Sequence, residues 1–402
     1  MQMDAIILDG DQRSALAATR SLGRRGMAVA VGAESDRSLA ACSRYSRDRF
    51  HYPSPYRDPD SFFNCIGDYA ARHRGAVLFP MTDVTVGELL RRRHELQEMV
   101  TLPFVDFERY AAASDKANLL AIAETLGVPT PRTIFAGNDN TDIDGIVAGA
   151  TKIGYPLVIK PSMSRIRTRN GWIQAGVRYA EDCEALRQEL EREACRSVPL
   201  LIQERIEGPG IGIFLLLHRG EIVAKFAHRR IREKPPSGGV GVLCEGIEAP
   251  VEALDSATKL LQKFDWTGVA MVEFKLDRRD RRFKLMEING RFWGSLQLAI
   301  SSGVDFPYLL FQLAAGEKID PPRGYDVGLR SRWELGDLDH LFLRLRKTPS
   351  ELALPADAPS RGKVLKEFAS AFIDPSIHHE VFRWSDPGPF FFEAQHYLSD
   401  LI

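Results

Sequence analysis

Residues 285–295 read Leu-Met-Glu-Ile-Asn-Gly-Arg-Phe-Trp-Gly-Ser. The stretch opens as a strand, and successive side chains of an extended chain point to opposite faces. Glu287, Asn289 and Arg291 therefore share a face, with Ile288 and Gly290 between them. A little upstream, Met-Val-Glu-Phe-Lys (271–275) reads as a second strand, joined to the first by the charged turn Asp-Arg-Arg-Asp-Arg (277–281). A hairpin of this kind sets Glu273 across from Glu287. Two carboxylates on adjacent strands repel unless a cation sits between them. Oxygen donors of this type suit Mg²⁺, which binds through one or two carboxylates plus substrate phosphates. Arg291 adds a fork of donors for a phosphate oxygen. Taken alone, the hairpin fits a solvated charged face equally well.

Four other segments carry chemistry. Lys160 ends the apolar strand Tyr-Pro-Leu-Val-Ile-Lys-Pro (155–161) and is either a strand mouth or a point charge aimed at an anion. Lys116 lies on the first turn of the helix in Ala-Ser-Asp-Lys-Ala-Asn-Leu (113–119), where a solvated charge is the simpler reading. Leu-Leu-Ile-Gln-Glu-Arg-Ile-Glu-Gly (200–208) is a strand running into a turn, and its free backbone groups suit the edge of an adenine ring or merely end a sheet. Finally, two cationic loops, 164–171 and 228–239, hold Arg165, Arg167, Arg169, His228, Arg229, Arg230, Arg232 and Lys234. Such loops close on polyphosphate or on a carboxylate, or stay solvated.

Around these segments the chain alternates strand and helix over its first ~110 residues, which argues for an open parallel sheet. Its first turn, Asp-Gly-Asp-Gln-Arg-Ser (9–14), lacks the glycine fingerprint of dinucleotide binding. The Thr-Asp-Val-Thr-Val-Gly-Glu stretch (82–88) falls beyond a strand end, where ligands approach such sheets. The last ~80 residues, rich in Pro, Asp and aromatics, read as an appended subdomain.

A length of 402 residues implies two or three domains. The net charge of -1 gives no overall field toward nucleic acid or an anionic membrane, so neither is expected as a partner. Five scattered cysteines without a C-x-x-C pair fit reduced thiols in a cytoplasm. The longest apolar run, near 211–217, is far too short to span a bilayer.

In order, Ala-Ser-Asp-Lys-Ala-Asn-Leu, Tyr-Pro-Leu-Val-Ile-Lys-Pro, Leu-Leu-Ile-Gln-Glu-Arg-Ile-Glu-Gly and the hairpin resemble the ATP-grasp superfamily of ATP-dependent ligases over roughly residues 1–320. The acid followed 14 residues later by Glu-x-Asn-x-Arg is the most specific part. The details look most like the branch related to the carbamoyl phosphate synthetase large chain and the carboxylate–amine ligases. The resemblance implies an α/β chain: a Rossmann-like pre-ATP-grasp domain (1–110), a central lid subdomain (111–200), a C-terminal subdomain with the Mg-ATP site (201–322) and an extension (323–402). Lys116 and Lys160 then resemble the two lysines on ATP phosphates. Glu204 resembles the hinge acid, with main-chain groups of Arg205 and Ile206 toward adenine, and Glu207 is the ribose candidate. Glu273, Glu287 and Asn289 resemble the metal ligands for Mg²⁺, with Mn²⁺ as a substitute. Arg291 resembles the phosphate or acyl-phosphate contact, and Arg230 a stabiliser of transferred charge.

The implied reaction joins a carboxylate to an amine through an acyl phosphate, releasing ADP and phosphate, with an amino acid or small peptide on at least one side. The rival readings are a carboxylase or thiol ligase on the same fold, and a nucleotide-binding regulatory protein without turnover. The expected partners are ATP, the two small substrates and a second copy in a homodimer. Two departures stand out: arginines where the loop after Lys160 is usually glycine-rich, and Gly-Pro-Gly after the hinge where relatives place an acid.

Overall fold

The computed structural model describes residues 1–137, 142–163, 165–168, 171–174, 176–192, 198–355 and 357–401. Arg169 and Cys195 lie outside the described residues, as do the side chains of Arg165 and Arg167.

Ala5–Ile7, Val29–Ala33 and Val77–Phe79 are buried strands that run parallel, as the alternation of strand and helix near the N-terminus implies. A fourth, Ser46–His51, pairs parallel with Val29–Ala33 at the sheet edge. Its Ser-Arg-Asp-Arg-Phe-His sequence is mostly exposed, so no alternation of apolar residues announces it. The Thr82–Glu88 stretch opens a helix, Asp83–Arg91, capped by the Thr82 hydroxyl, which accepts from the Thr85 amide at 3.3 Å.

The second layer is a four-stranded antiparallel sheet in the order Thr133–Ala136, Leu200–Glu204, Leu157–Pro161, Arg178–Ala180. Helices Ile143–Ile153 and Cys183–Glu191 contribute Ala150, Leu186 and Leu190 to its separate small core. Beyond Lys160 the chain forms an antiparallel pair, Arg165–Thr168 with Gly171–Gln174.

The third layer is a seven-stranded sheet. Its order is Phe283–Asn289, Gly268–Leu276, Gly210–His218, Glu221–Lys234, Val240–Gly246, Arg330–Arg332, Ile377–His379. The pairs are antiparallel except the last. Its core is continuous with that of the N-terminal sheet. The basic run 228–234, read above as a loop, is the end of a 14-residue strand.

The last two strands of this sheet come from the C-terminal 80 residues, which are thus built into the sheet. A buried arginine ties them to the N-terminal helix Arg13–Arg24. Arg20 Nε donates to Asp386 Oδ2 at 2.8 Å, and its other nitrogens donate to the carbonyls of Glu380, Val381 and Asp386 at 2.8–3.0 Å. Replacing Arg20 with alanine leaves the buried Asp386 without its cation, and losing one partner of a buried pair costs about 3–5 kcal/mol. Urea unfolding of Arg20→Ala is expected to show a loss of that order; a loss under about 1 kcal/mol would mean the clamp is dispensable.

Candidate active site

A cavity of about 450 Å³ is lined by residues of both antiparallel sheets and of helix Lys116–Thr125. The two hairpin acids meet there as the strand pattern requires. Glu273 and Glu287 are cross-strand partners, and a bulge follows Glu273. Asn289 stands on the same face and donates from Nδ2 to Glu287 Oε1 at 3.1 Å.

Each carboxylate has its own cation. Lys116 Nζ lies 3.1 Å from Glu287 Oε2. Arg230 clasps Glu273 with two hydrogen bonds, one of them 2.7 Å from Nη1 to Oε1, and also donates to Glu233 at 3.1 Å. Burial disfavours charge on Glu287, but Lys116, the Asn289 amide and Lys160 outweigh it and hold the carboxyl down to about 2. On Glu273 burial prevails over Arg230 and pushes its pKa above the ordinary value. Lys160 is pulled down to about 8, first by burial and then by Lys116. The two lysines come together because the Lys116 amide donates to the Ser162 carbonyl at 3.0 Å, tying the helix start to the strand end.

Arg291 also lines the cavity, but its fork closes on Asp83 of the N-terminal layer: Nε and Nη2 each donate to a carboxylate oxygen at 2.9 Å. Nη2 further reaches Asn289 Oδ1 at 3.3 Å. Burial works against its charge and Asp83 restores it, so the guanidinium is firmly cationic.

At the other end, Gln203, Arg205 and Ile206 line the cavity with Val158 and Tyr179. Glu204 is buried outside that lining, where its carboxylate accepts from the Arg132 amide at 2.9 Å and from the Arg132 and Arg279 guanidiniums at 3.1 Å each. It therefore braces the hinge. The Arg205 amide is engaged with the Pro156 carbonyl at 3.4 Å, and the Ile206 carbonyl accepts from Lys275 Nζ at 3.4 Å. Glu207 is exposed and lies outside this cavity. Next to it, Gly208 has φ +154° and a Cβ there would stand 1.8 Å from the Leu276 carbonyl oxygen, so the Gly-Pro-Gly turn is required by close packing.

Lys275 and Tyr179 are among the lining residues that sequence reading did not single out as ligand contacts. Lys275 is two positions from Glu273, a period-2 signal that could have found it. Tyr179 carried no local signal. His228 was grouped with the cations, yet burial and Arg230 hold its pKa well below the ordinary value, so the ring is neutral. Its Nδ1 lies 3.2 Å from Ser295 Oγ, and its Nε2 is buried without a recorded partner. Among the described residues, no group of three or more His, Cys, Asp or Glu is placed to hold a metal. Glu273, Glu287 and Asn289, the oxygen set expected from sequence, all line the cavity.

Residues 196–334 match a family described as ATP-grasp in the biosynthetic pathway with Ter operon. The chain is similar to a D-alanine–D-alanine ligase of Thermoanaerobacter sp. (strain X514), 26% identical over 48% of this chain and 56% of the relative. It is similar also to a D-aspartate ligase of Enterococcus faecium (strain Aus0004), 21% identical over 56% of this chain and 55% of the relative. The chain thus spans a little over half the length of these curated relatives. Among solved structures, the biotin carboxylase domain of Hydrogenobacter thermophilus 2-oxoglutarate carboxylase, determined with MgADP and bicarbonate, superposes with a TM-score of 0.63 at 17% identity, covering 82% of this chain and 74% of that one. An L-amino acid ligase from Bacillus licheniformis does so with a TM-score of 0.59 at 17% identity, covering 78% and 75%. Residues 196–334 thus match an ATP-grasp family, and the chain shares its fold with these solved structures.

Proposed function

We propose that the protein is an ATP-dependent ligase that joins a carboxylate to an amine through an acyl phosphate, releasing ADP and phosphate. An amino acid or small peptide is its substrate on at least one side. The observation that carries this reading is the cross-strand pair Glu273–Glu287, flanked by Lys116, Lys160 and Arg230 within one cavity. Three similar proteins that bear names of amino-acid ligases support the substrate class.

The donor set fits Mg²⁺, or Mn²⁺ in its place. Two carboxylates at one register already require positive charge beside them, as their pairing with Arg230 and Lys116 shows, and Asn289 adds a neutral oxygen. When bound, such an ion would offset charge on the phosphoryl group in transfer. The remaining work belongs to the chain. Gln203, Arg205, Ile206 and the Val158 side chain hold the base. Lys116 and Lys160 face the phosphates as point charges. Arg230 stabilises charge as the substrate carboxylate takes the γ-phosphoryl group, and Arg291, fixed by Asp83, holds the acceptor side of that group. The amine then displaces phosphate from the acyl carbon.

Pairwise incubation of amino acids and dipeptides with Mg-ATP is expected to release ADP and phosphate only when both a carboxylate and an amine are supplied. AMP and pyrophosphate as products would defeat the acyl-phosphate reading. Glu287→Gln is expected to lower kcat/KM at least about 100-fold in that assay, the scale for losing a preorganised charge-stabilising group; unchanged turnover removes the assignment. The Lys160 pKa gives a pH test. An anion binds the protonated lysine, so above about 8 nucleotide binding must take up a proton, and affinity falls with rising pH by at most about tenfold per unit. Titration calorimetry of Mg-ADP from pH 7 to 9.5 should show this fall in wild type and a flatter profile in Lys160→Arg. A wild-type affinity independent of pH over that range contradicts the role given to Lys160.

A further inference from the structure

A second cavity, of about 510 Å³, opens behind the hinge and shares Arg205, Ile206, Arg230, Glu233, Ser237 and Lys275 with the first. Its far wall is formed by the C-terminal residues 353–355 and 357–359. That segment is strapped down by three arginines. Arg205 donates to the Ala353 carbonyl, Arg344 to the Pro359 carbonyl, and Arg278 bridges both oxygens of Asp357 at 2.8 Å.

The charge around this cavity does not balance. Arg232 and Arg332 share one carboxylate, Asp337, at 3.0 and 2.6 Å, and all three are buried. Phe368 and Phe372 cover the Arg332 guanidinium at 4.4 and 4.2 Å, but Arg232 keeps Nη1 buried with no recorded partner. Arg205, Arg344 and Lys275 have backbone carbonyls as their recorded hydrogen-bond acceptors. The lining carboxylates are mostly engaged elsewhere or turned to water: Glu233 pairs with Arg230, Asp357 with Arg278, and Glu207 is exposed, while the exposed Glu367, 3.9 Å from Lys363, adds a weaker charge toward Arg232. Buried positive charge persists when an anion compensates it.

We propose that this cavity is a binding site for a small oxyanion, a phosphate or a carboxylate, held by Arg232, Arg344, Arg205 and Lys275. The site depends on the C-terminal 80 residues, which supply both Arg344 and the wall formed by 353–355 and 357–359. Lys116 and Lys160 of the first cavity do not line it, and the proposal does not rest on the ligase reading.

The test is a thermal-shift and calorimetric titration of the full chain with inorganic phosphate and, in a second arm, succinate. Sodium chloride at equal ionic strength serves as the blank. Each arm is run with and without saturating Mg-ADP. Binding at millimolar concentration or tighter that survives Mg-ADP, weakens at least fivefold in Arg344→Gln and is retained in Arg344→Lys supports the site. The arm that binds more tightly identifies phosphate or carboxylate as the ligand group. The proposal is overturned if neither anion exceeds the chloride blank, if Mg-ADP abolishes the binding, or if folded Arg344→Gln binds like wild type. Should Arg344→Gln fail to fold, Lys275→Gln is read by the same criterion.

Discussion

Two carboxylates placed opposite each other on neighbouring strands are an unstable arrangement by themselves, and much of the molecule is organised around making it tolerable. Glu273 and Glu287 face one another because the hairpin register leaves no other choice. Like charges at that spacing repel, and burial raises the cost. The chain answers with cations from three separate places. Arg230 comes from the long strand two positions across the sheet, Lys116 from a helix start, and Lys160 from the opposing sheet. The outcome is asymmetric. Glu287, with two lysines and an amide, is held down to about 2, while Glu273 keeps a raised pKa despite its arginine. A pair so divided suits a cleft whose other occupant carries several negative charges, since the lysines are already assembled.

The same constraint explains which parts of the molecule could be read from the sequence. The hairpin was legible because period 2 puts Glu287 and Asn289 on one face and a short charged turn brings Glu273 across from Glu287. The three buried strands of the first layer were legible as short apolar runs. Ser46–His51 was not, because an edge strand with polar residues on both faces carries no such pattern. The helix Asp83–Arg91 lay hidden in a stretch with two threonines and a glycine, and its Thr82 cap shows only in three dimensions.

Partnerships were the least legible feature. Arg291 was visible as a fork, but its acceptor, Asp83, lies 208 residues away. Glu204 was visible as a strand-end acid, yet Arg132 and Arg279 turn it into a brace beside the cleft. His228 sat in a basic run and invited a positive charge, which burial and Arg230 remove. Local sequence states what a side chain can do; the charge it carries depends on neighbours that only the fold supplies.

The C-terminal residues show how far such long-range ties reach. Their composition suggested an appendage, but two of their strands continue the large sheet, and Arg20 and Arg13 of the first helix hold Asp386 and Glu380. The Arg205 side chain donates to Ala353 from within the hinge that borders the cleft. A single segment is therefore anchored both to the helix after the first strand and to the hinge of the opposing sheet. Of the three arginines that fix residues 353–355 and 357–359, Arg278 is matched by Asp357, while Arg205 and Arg344 donate to backbone carbonyls. Electrostatic balance on this side of the molecule is consequently a property of the segment's seating, as balance on the other side is a property of the hairpin.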